Sequence, residues 1–384
     1  MLGLTLPIPF PFLPHRLFLA LLALLALSTA YYLGRLSPIP LTTTPPYASA
    51  SLALTARIPF YVPPSLFPSP NLPKDLPPLP PLAVNTSAFP APTKGNQVPP
   101  IVHTIYHLSG DRPPPLPYFH YLALRSALLS LKPRLMLMHH HHSSPPHGPY
   151  WDLLAPHITL SPLTPPTEVY GHRLTHFAHK ADVLRLQLLI AFGGIYVDID
   201  TYVLRNFDRA GLMTQDVVLG MEMSPDSRRT ALEPGGLCNA VIVARPEAPF
   251  LQRWLATYES FDGSVWAGHS VAKPWELARL YPRELTVLGN RAMFYPLWRG
   301  EDIDLVHVPS EAGKGGWDFF KSGQLTYHAW ESLAMQYLEP LTPSRVLKGE
   351  SSFTRMVRAF VGPEDTKVEK RLLKERDADA AEGR

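Results

Sequence analysis

Two aspartates, Asp198 and Asp200, flank one isoleucine at the end of the short apolar run Ile195-Tyr196-Val197. Carboxylates this close repel each other unless a cation lies between them or one takes a proton. Hard divalent ions such as Mg²⁺ and Mn²⁺ suit carboxylate and phosphate oxygens. The pair therefore reads as a seat for a cation that also grips a phosphate. Upstream, Asp182 and Arg185 stand one helical turn apart on one face. Gly193-Gly194 then reverses the chain, which can bring that face back toward the acids. A bare Asp-x-Asp occurs by chance in many proteins, and Asp182 with Arg185 alone would be a surface pair worth a few tenths of a kcal/mol. The combination is the signal, because it offers several of the roles a reaction site needs.

These side chains need elements to hold them. His179 to Phe192 predicts a helix with Ala181, Leu184, Leu188 and Ala191 on one face, stopped by Gly193-Gly194. Ile195 to Val197 predicts a strand. With Ile199 pointing away, both acids fall on one side of it, at a strand end where open α/β sheets bind ligands. Ile101 to Tyr106 is a β-branched run typical of a buried strand. Arg134 to Met138, Val217 to Met221 and Ala240 to Val243 read as further strands. Tyr121 to Lys132, Phe250 to Tyr258 and Trp275 to Tyr281 read as helices. Short strands alternating with helices give an α/β sheet domain.

Composition limits the rest. The 384 residues are 46% hydrophobic, enough for a sizeable core, but 45 are proline. That excess cannot sit in regular helices or central strands, so part of the chain is non-globular. A net charge of +3 with no long basic run gives no footprint for nucleic acid. The single cysteine, Cys238, builds neither a disulfide framework nor a multi-cysteine zinc site and reads as a small buried apolar residue. Leu17 to Leu33 is apolar and long enough for a short membrane-spanning helix. Ser28-Thr29-Ala30 offers a cleavage site instead, and span length favours the anchor. Four segments are expected. Residues 1–35 form a cytosolic tip and anchor, and 36–98 a proline-rich, extended stem carrying the N-glycosylation acceptor Asn85-Thr86-Ser87. Residues 99–362 form the folded domain, and 363–384 a charged tail that frays.

Residues 179–204 resemble the DXD region of glycosyltransferase family 32, whose pattern is roughly S/A-D-x-x-R-x-x-x-L-x-x-x-G-G-x-Y-x-D-x-D. Here it reads Ala181-Asp182, Arg185, Leu189, Gly193-Gly194, Ile195-Tyr196, Asp198 and Asp200. Pro100-Ile101-Val102-His103 resembles the family's first strand, with Thr104 for the usual glutamine and Tyr106 for the usual tryptophan. Gly236 to Ala240 with Arg245-Pro246 and Pro249-Phe250, the Trp266-Ala267-Gly268-His269 stretch, and Tyr327-His328-Ala329-Trp330 resemble other family segments. The resemblance spans about residues 99 to 335. It implies a GT-A-type mixed sheet flanked by helices, Mn²⁺ (or Mg²⁺), and retention of anomeric configuration. It also implies a nucleotide-sugar donor, GDP-mannose or a UDP-hexose, and a glycan or glycolipid acceptor. The expected setting is the Golgi membrane, with residues 17–33 as anchor and the domain in the lumen.

By the same resemblance Asp198 and Asp200 are the catalytic acids, and Asp200, Asp198 and His328 are the metal ligands. Asp182, Arg185, Asp198, Asn239 and Tyr106 contact the nucleotide sugar, with the Tyr106 ring available for base stacking. Glu222 and Glu233 line the acceptor side. Two other functions compete: a metal-dependent phosphohydrolase, which needs more ligands than this segment supplies, and a non-catalytic carbohydrate-binding protein. The His139–His142 run reads as a surface loop insertion. Trp266 and Trp330 read as core aromatics rather than sugar platforms.

Overall fold

The computed structural model describes residues 58–66, 70, 77–80, 97–223, 234–309 and 316–381. All belong to the second of two units, residues 52–384. The expected anchor at 17–33 and Asn85 lie outside the described residues. Among the described residues no helix is long and apolar enough to cross a membrane.

Among the described residues, eleven strands and ten α-helices follow in chain order. They begin with β1 (Ile101–Tyr106), α1 (Tyr118–Leu131), β2 (Leu135–His141), α2 (Pro149–Leu154) and β3 (Thr159–Leu163). The hairpin β4 (Glu168–Val169) and β5 (His172–Arg173) leads into α3 (Phe177–Phe192), β6 (Gly194–Val197), β7 (Thr201–Val203), β8 (Val217–Met223) and β9 (Pro234–Ala244). Next come α4 (Pro249–Ala256), α5 (Lys273–Leu280), β10 (Thr286–Leu288), α6 (Gly300–His307) and β11 (Thr326–His328). The chain ends with α7 (Glu331–Leu338), α8 (Pro343–Lys348), α9 (Ser352–Val357) and α10 (Asp365–Ala381). Seven strands form one mixed sheet in the order β10-β8-β9-β6-β1-β2-β3. β1 runs parallel to β2 and β6, and β9 runs antiparallel to β6 and β8. The fold is α/β, a mixed sheet flanked by helices.

β1 is buried along its whole length, as a β-branched run with helices on both faces must be. Its alternate residues feed two cores. Val102 and Tyr106 meet α1 on one side, and Ile105 meets α3 on the other. The α3 helix is buried nearly all round between the sheet and α4, not on one face only. It ends where glycine is required. Gly193 and Gly194 have φ of 63° and 111°, and a Cβ on Gly194 would lie 2.5 Å from the Ile101 carbonyl oxygen. Only a residue without a Cβ turns the chain this tightly against β1.

Three expectations are corrected. The histidine run is not a loop insertion. His139, His140 and His141 continue β2, and His139 is fully buried. A hydrogen-bonded chain makes that burial tolerable. His103 Nε2 lies 3.0 Å from the Gly193 carbonyl, His103 Nδ1 lies 3.0 Å from His139 Nε2, and His139 Nδ1 lies 3.0 Å from Ser161 Oγ. A carbonyl only accepts, so His103 donates from Nε2, His139 donates to His103, and Ser161 donates to His139. Burial holds both rings neutral. The pKa of His103 falls to about 4 despite its bond to Gly193, and that of His139 falls well below its ordinary value. This chain ties three strands to the Gly193 turn.

The stem expected over 36–98 is also partly docked. Ile58 is buried, Tyr61 bridges Leu288, and Val62 N–H donates to the Val287 carbonyl at 2.7 Å. A short apolar stretch among the prolines thus covers the β10 edge, which would otherwise stay unpaired. The charged tail is a helix rather than a frayed end. Asp365, fully buried at its start, accepts hydrogen bonds from Tyr118 Oη (2.8 Å), Tyr121 Oη (2.6 Å) and Gly362 N–H (2.8 Å).

Candidate active site

Asp198 and Asp200 do not alternate along a strand. β6 stops at Val197, and the two acids occupy the turn into β7. Asp198 N–H still donates to the Ala240 carbonyl at 2.8 Å, and Thr201 N–H closes the turn on the Asp198 carbonyl at 2.9 Å. The turn brings both carboxylates together, which the strand reading expected for a different reason. β7 pairs antiparallel with β11, placing His328 opposite Thr201. Asp198, Asp200 and His328 each offer one ligand atom, and these atoms lie within 4.8 Å of one another.

Each member is held from outside the trio. Asp200 is buried, with Oδ1 3.1 Å from His328 Nε2 and Oδ2 accepting the Glu331 N–H at 3.0 Å. That N–H opens α7, so the carboxylate also meets the positive end of a helix dipole. Burial opposes charge on Asp200, but His328 and the Glu331 N–H outweigh it and hold its pKa at about 2. Burial likewise opposes charge on His328, and Asp200, Asp198 and Glu222 together raise its pKa. The next residue but one, Trp330, adopts a left-handed conformation (φ 54°, ψ 50°) and lays its ring 4.2 Å from that of His328. A non-glycine residue is held there only when its surroundings dictate it.

Behind Asp198 lies a second network. Arg185 Nη1 donates to Asp198 Oδ1 at 2.9 Å and to the Asn239 carbonyl at 2.8 Å, and Nη2 lies 3.3 Å from Asp182 Oδ1. Asn239 Nδ2 donates to the same Asp182 oxygen at 2.7 Å. Tyr196 Oη donates to Asp198 Oδ1 at 2.6 Å, and its ring lies 4.5 Å beneath the guanidinium. Asp182, Arg185 and Asn239 are all buried. Burial outweighs Arg185 and Asn239 in raising the pKa of Asp182, whereas the carboxylates outweigh burial in keeping Arg185 charged. Both bonds to Asp198 fall on Oδ1. Tyr196, part of the sequence pattern, had been given no role by it.

A cavity of about 270 Å³ opens beside the acids, lined by Ile105, His107, Phe177, Ala181, Tyr196, Asp198 and Asp200 among others. Asp182 and Arg185 face neither bulk solvent nor this cavity. They sit one layer behind it. Tyr106 is not among the lining residues either. Its ring is packed in the core and its hydroxyl reaches the Pro114 carbonyl at 3.4 Å. The stacking expected of it is blocked, because β1 turns residue 106 to the α1 side and presents Ile105 and His107 to the cavity. Trp266 is 63% exposed, against the expectation of a core aromatic. Trp330 is half-buried, and its Nε1 donates to Pro296. Glu222 accepts from Trp298 Nε1 at 3.0 Å, and Glu233 lies outside the described residues.

Comparison with known proteins fits this geometry. Residues 152–218 match the model of the glycosyltransferase sugar-binding region containing the DXD motif. Glucan organizing enzyme 1 of Cryptococcus neoformans var. grubii is 50% identical over 274 residues, covering 70% of this chain and 72% of the relative. Among solved structures, the apo form of the bifunctional glycosyltransferase WbbM aligns with a TM-score of 0.39 at 11% identity, over 72% of this chain and about half (52%) of that one. The galactosyltransferase LgtC, solved with donor and acceptor sugar analogues, aligns with a TM-score of 0.34 at 14% identity, over 70% of this chain and 99% of that one. Half-identity to a curated relative over more than two thirds of its length, with the sugar-binding region falling on α3, the glycine turn and the paired acids, makes this chain a member of the DXD-containing glycosyltransferases of family 32.

Proposed function

We propose that Asp198, Asp200 and His328 hold a divalent cation, Mn²⁺ or Mg²⁺, and that the chain transfers a sugar from GDP-mannose or a UDP-hexose to a glycan or glycolipid. The observation that carries this reading is the convergence of the three ligand atoms within 4.8 Å. Two carboxylates and an imidazole form an oxygen- and nitrogen-donor set suited to such ions. A bound ion would neutralise charge developing on the diphosphate leaving group.

The chain's own residues prepare that site. Arg185 and Tyr196 fix Asp198 through Oδ1, so the other oxygen is free to face the ligand. The Glu331 N–H fixes Asp200. Asp182 and Asn239, locked to each other, brace Arg185 from behind. Retention follows the family resemblance, by attack of the acceptor from the leaving-group side, which needs no enzyme nucleophile. The likeness to a glucan organizing enzyme makes glucose polymers the first acceptors to try. Residues 17–33 would anchor the chain in the Golgi membrane with the domain lumenal. A phosphohydrolase would need further ligands, and among the described residues the cluster holds three.

The test is release of nucleoside diphosphate from GDP-mannose and UDP-hexoses by the full-length protein. Exhaustive chelation should abolish release, and added Mn²⁺ or Mg²⁺ should restore it. Undiminished release after chelation would refute the metal site.

A further inference from the structure

Asp200 is wrapped by one short segment. Ala329 N–H donates to the Asp200 backbone carbonyl at 3.1 Å, Glu331 N–H donates to Oδ2 at 3.0 Å, and His328 Nε2 lies 3.1 Å from Oδ1. Residues 328–331 therefore curl around the acid, with Trp330 left-handed between two of these contacts. A non-glycine backbone keeps that conformation only where its surroundings fix it from both ends. The pairing of β11 with β7 fixes the His328 end. The Glu331 end needs a fastening of its own.

That fastening comes from the first turn of α1, 211 residues earlier in the chain. His120 Nε2 lies 2.8 Å from Glu331 Oε2. A carboxylate oxygen accepts, so the imidazole donates. His120 is buried, at 8% exposure, which removes the solvent screening that makes surface pairs nearly worthless. The residue before it grips the other flank of the acid. The Phe119 carbonyl accepts the Tyr202 hydroxyl at 2.9 Å, and Tyr202 lies on β7, two residues after Asp200. Neighbouring residues of α1 thus hold the chain on both sides of Asp200, one through β7 and the other through the start of α7.

We propose that His120 and Glu331 are positioning residues for cation binding: their side-chain bond aims the Glu331 N–H at Asp200 Oδ2, which holds Asp200 Oδ1 and His328 in the arrangement a cation requires. Neither side chain touches the cation or the sugars. They act through the carboxylate they orient, as outer partners of metal ligands commonly do. An ordinary acid at a helix start would favour α7 through the helix dipole alone. That account gives the imidazole on α1 no part, and it predicts a loss of stability without a loss of cation affinity. The proposal rests on the reading of Asp198, Asp200 and His328 as a metal site.

The test measures Mn²⁺ binding by full-length protein, from the spin-resonance signal of the free ion, with the metal alone and with GDP or UDP added. His120→Ala and Glu331→Ala should each weaken binding about tenfold. Glu331→Gln keeps an oxygen that accepts from His120 and should stay within about threefold of wild type. The double variant His120→Ala/Glu331→Ala should be no more than about threefold weaker than either single one, because both remove the same bond. Nucleotide release should follow the same order at limiting Mn²⁺ and converge toward wild type at saturating Mn²⁺. The Glu331 side chain is 29% exposed, so Glu331→Ala carries the test if His120→Ala fails to fold. Binding by Glu331→Ala equal to wild type, with only the thermal midpoint lowered, would overturn the positioning role, as would fully additive losses in the double variant. Asp200→Asn separates the two readings. If it abolishes Mn²⁺ binding while the His120 and Glu331 variants bind normally, the metal site stands and this proposal alone fails. If the wild type binds no Mn²⁺ under any of these conditions, both fall.

Discussion

Two buried carboxylate sites in this molecule are built on opposite plans. Asp365, at the start of α10, is fully buried and surrounded by two tyrosine hydroxyls and one backbone N–H. Its three hydrogen-bond donors are neutral, and the Arg125 guanidinium lies beside Tyr121. Asp198 and Asp200 are set against each other and against His328, with Arg185 and the Glu331 N–H gripping them from behind. The first arrangement is complete by itself and fastens the C-terminal helix to α1. The second gathers two carboxylates and an imidazole whose ligand atoms converge on one point. Burial of a carboxylate therefore does not distinguish function from structure. What converges on it does: a second carboxylate and an imidazole in one case, hydroxyls and an N–H in the other.

Exchanging one carboxylate for an amide at each site should separate the two plans. Asp200→Asn should cut transfer by roughly a hundred- to a thousandfold, measured as nucleotide release, with the thermal midpoint close to wild type. A large fall in midpoint would mean that Asp200 is structural after all. Asp365→Ala should do the reverse. It strands two buried hydroxyls and an N–H, and should cost about 3 kcal/mol in denaturant unfolding, while the folded fraction keeps its activity. An unchanged unfolding curve would remove the contrast.

The layer behind Asp198 lies between these extremes. Asp182→Ala should lower kcat/KM about ten- to a hundredfold. Arg185→Lys should also impair transfer, since one ammonium cannot serve Asp198, the Asn239 carbonyl and Asp182 together. A silent Asp182→Ala would reduce the pair to packing.

A separate effect concerns acid. Burial lowers the pKa of His103 and of His307 to about 4, against an ordinary value near 6.5. The unfolded chain takes up protons first as pH falls, so the stability these neutral rings allow is complete above about pH 6.5. It is lost as pH drops through 6.5 toward 4, by up to about 1.4 kcal/mol per pH unit for each ring. Unfolding free energies at pH 7 and pH 5 check this. Stability that rises on acidification would refute neutral burial.

The acidic turn and the Asp182–Arg185 pair were legible in the sequence because they lie in one continuous stretch, on neighbouring turns of one helix and the strand after it. His328 could be named only through its resemblance to a family segment, because strand pairing far along the chain brings it to Asp200. The His103–His139 pair and the Asp365 clamp gave no local signal, since their partners come from distant elements. Composition misled in both cases, as polar runs usually mark loops and tails. Tyr106 was misread because a one-residue difference along β1 decides which face of the sheet a ring occupies. Trp266 was misread because aromatic residues are buried on average, and nothing in its neighbours' identities reveals the exception.

The pairing of β7 with β11 also sets when activity can begin. A ribosome delivers the acidic turn early and the Thr326–His328 strand late. Until that strand emerges, Asp200 has neither the imidazole nor the helix terminus that hold it. A nascent or prematurely terminated chain would carry the full sugar-binding signature and still be inert. A chain that stops before Thr326 would therefore hold the acidic turn without either of its two fastenings.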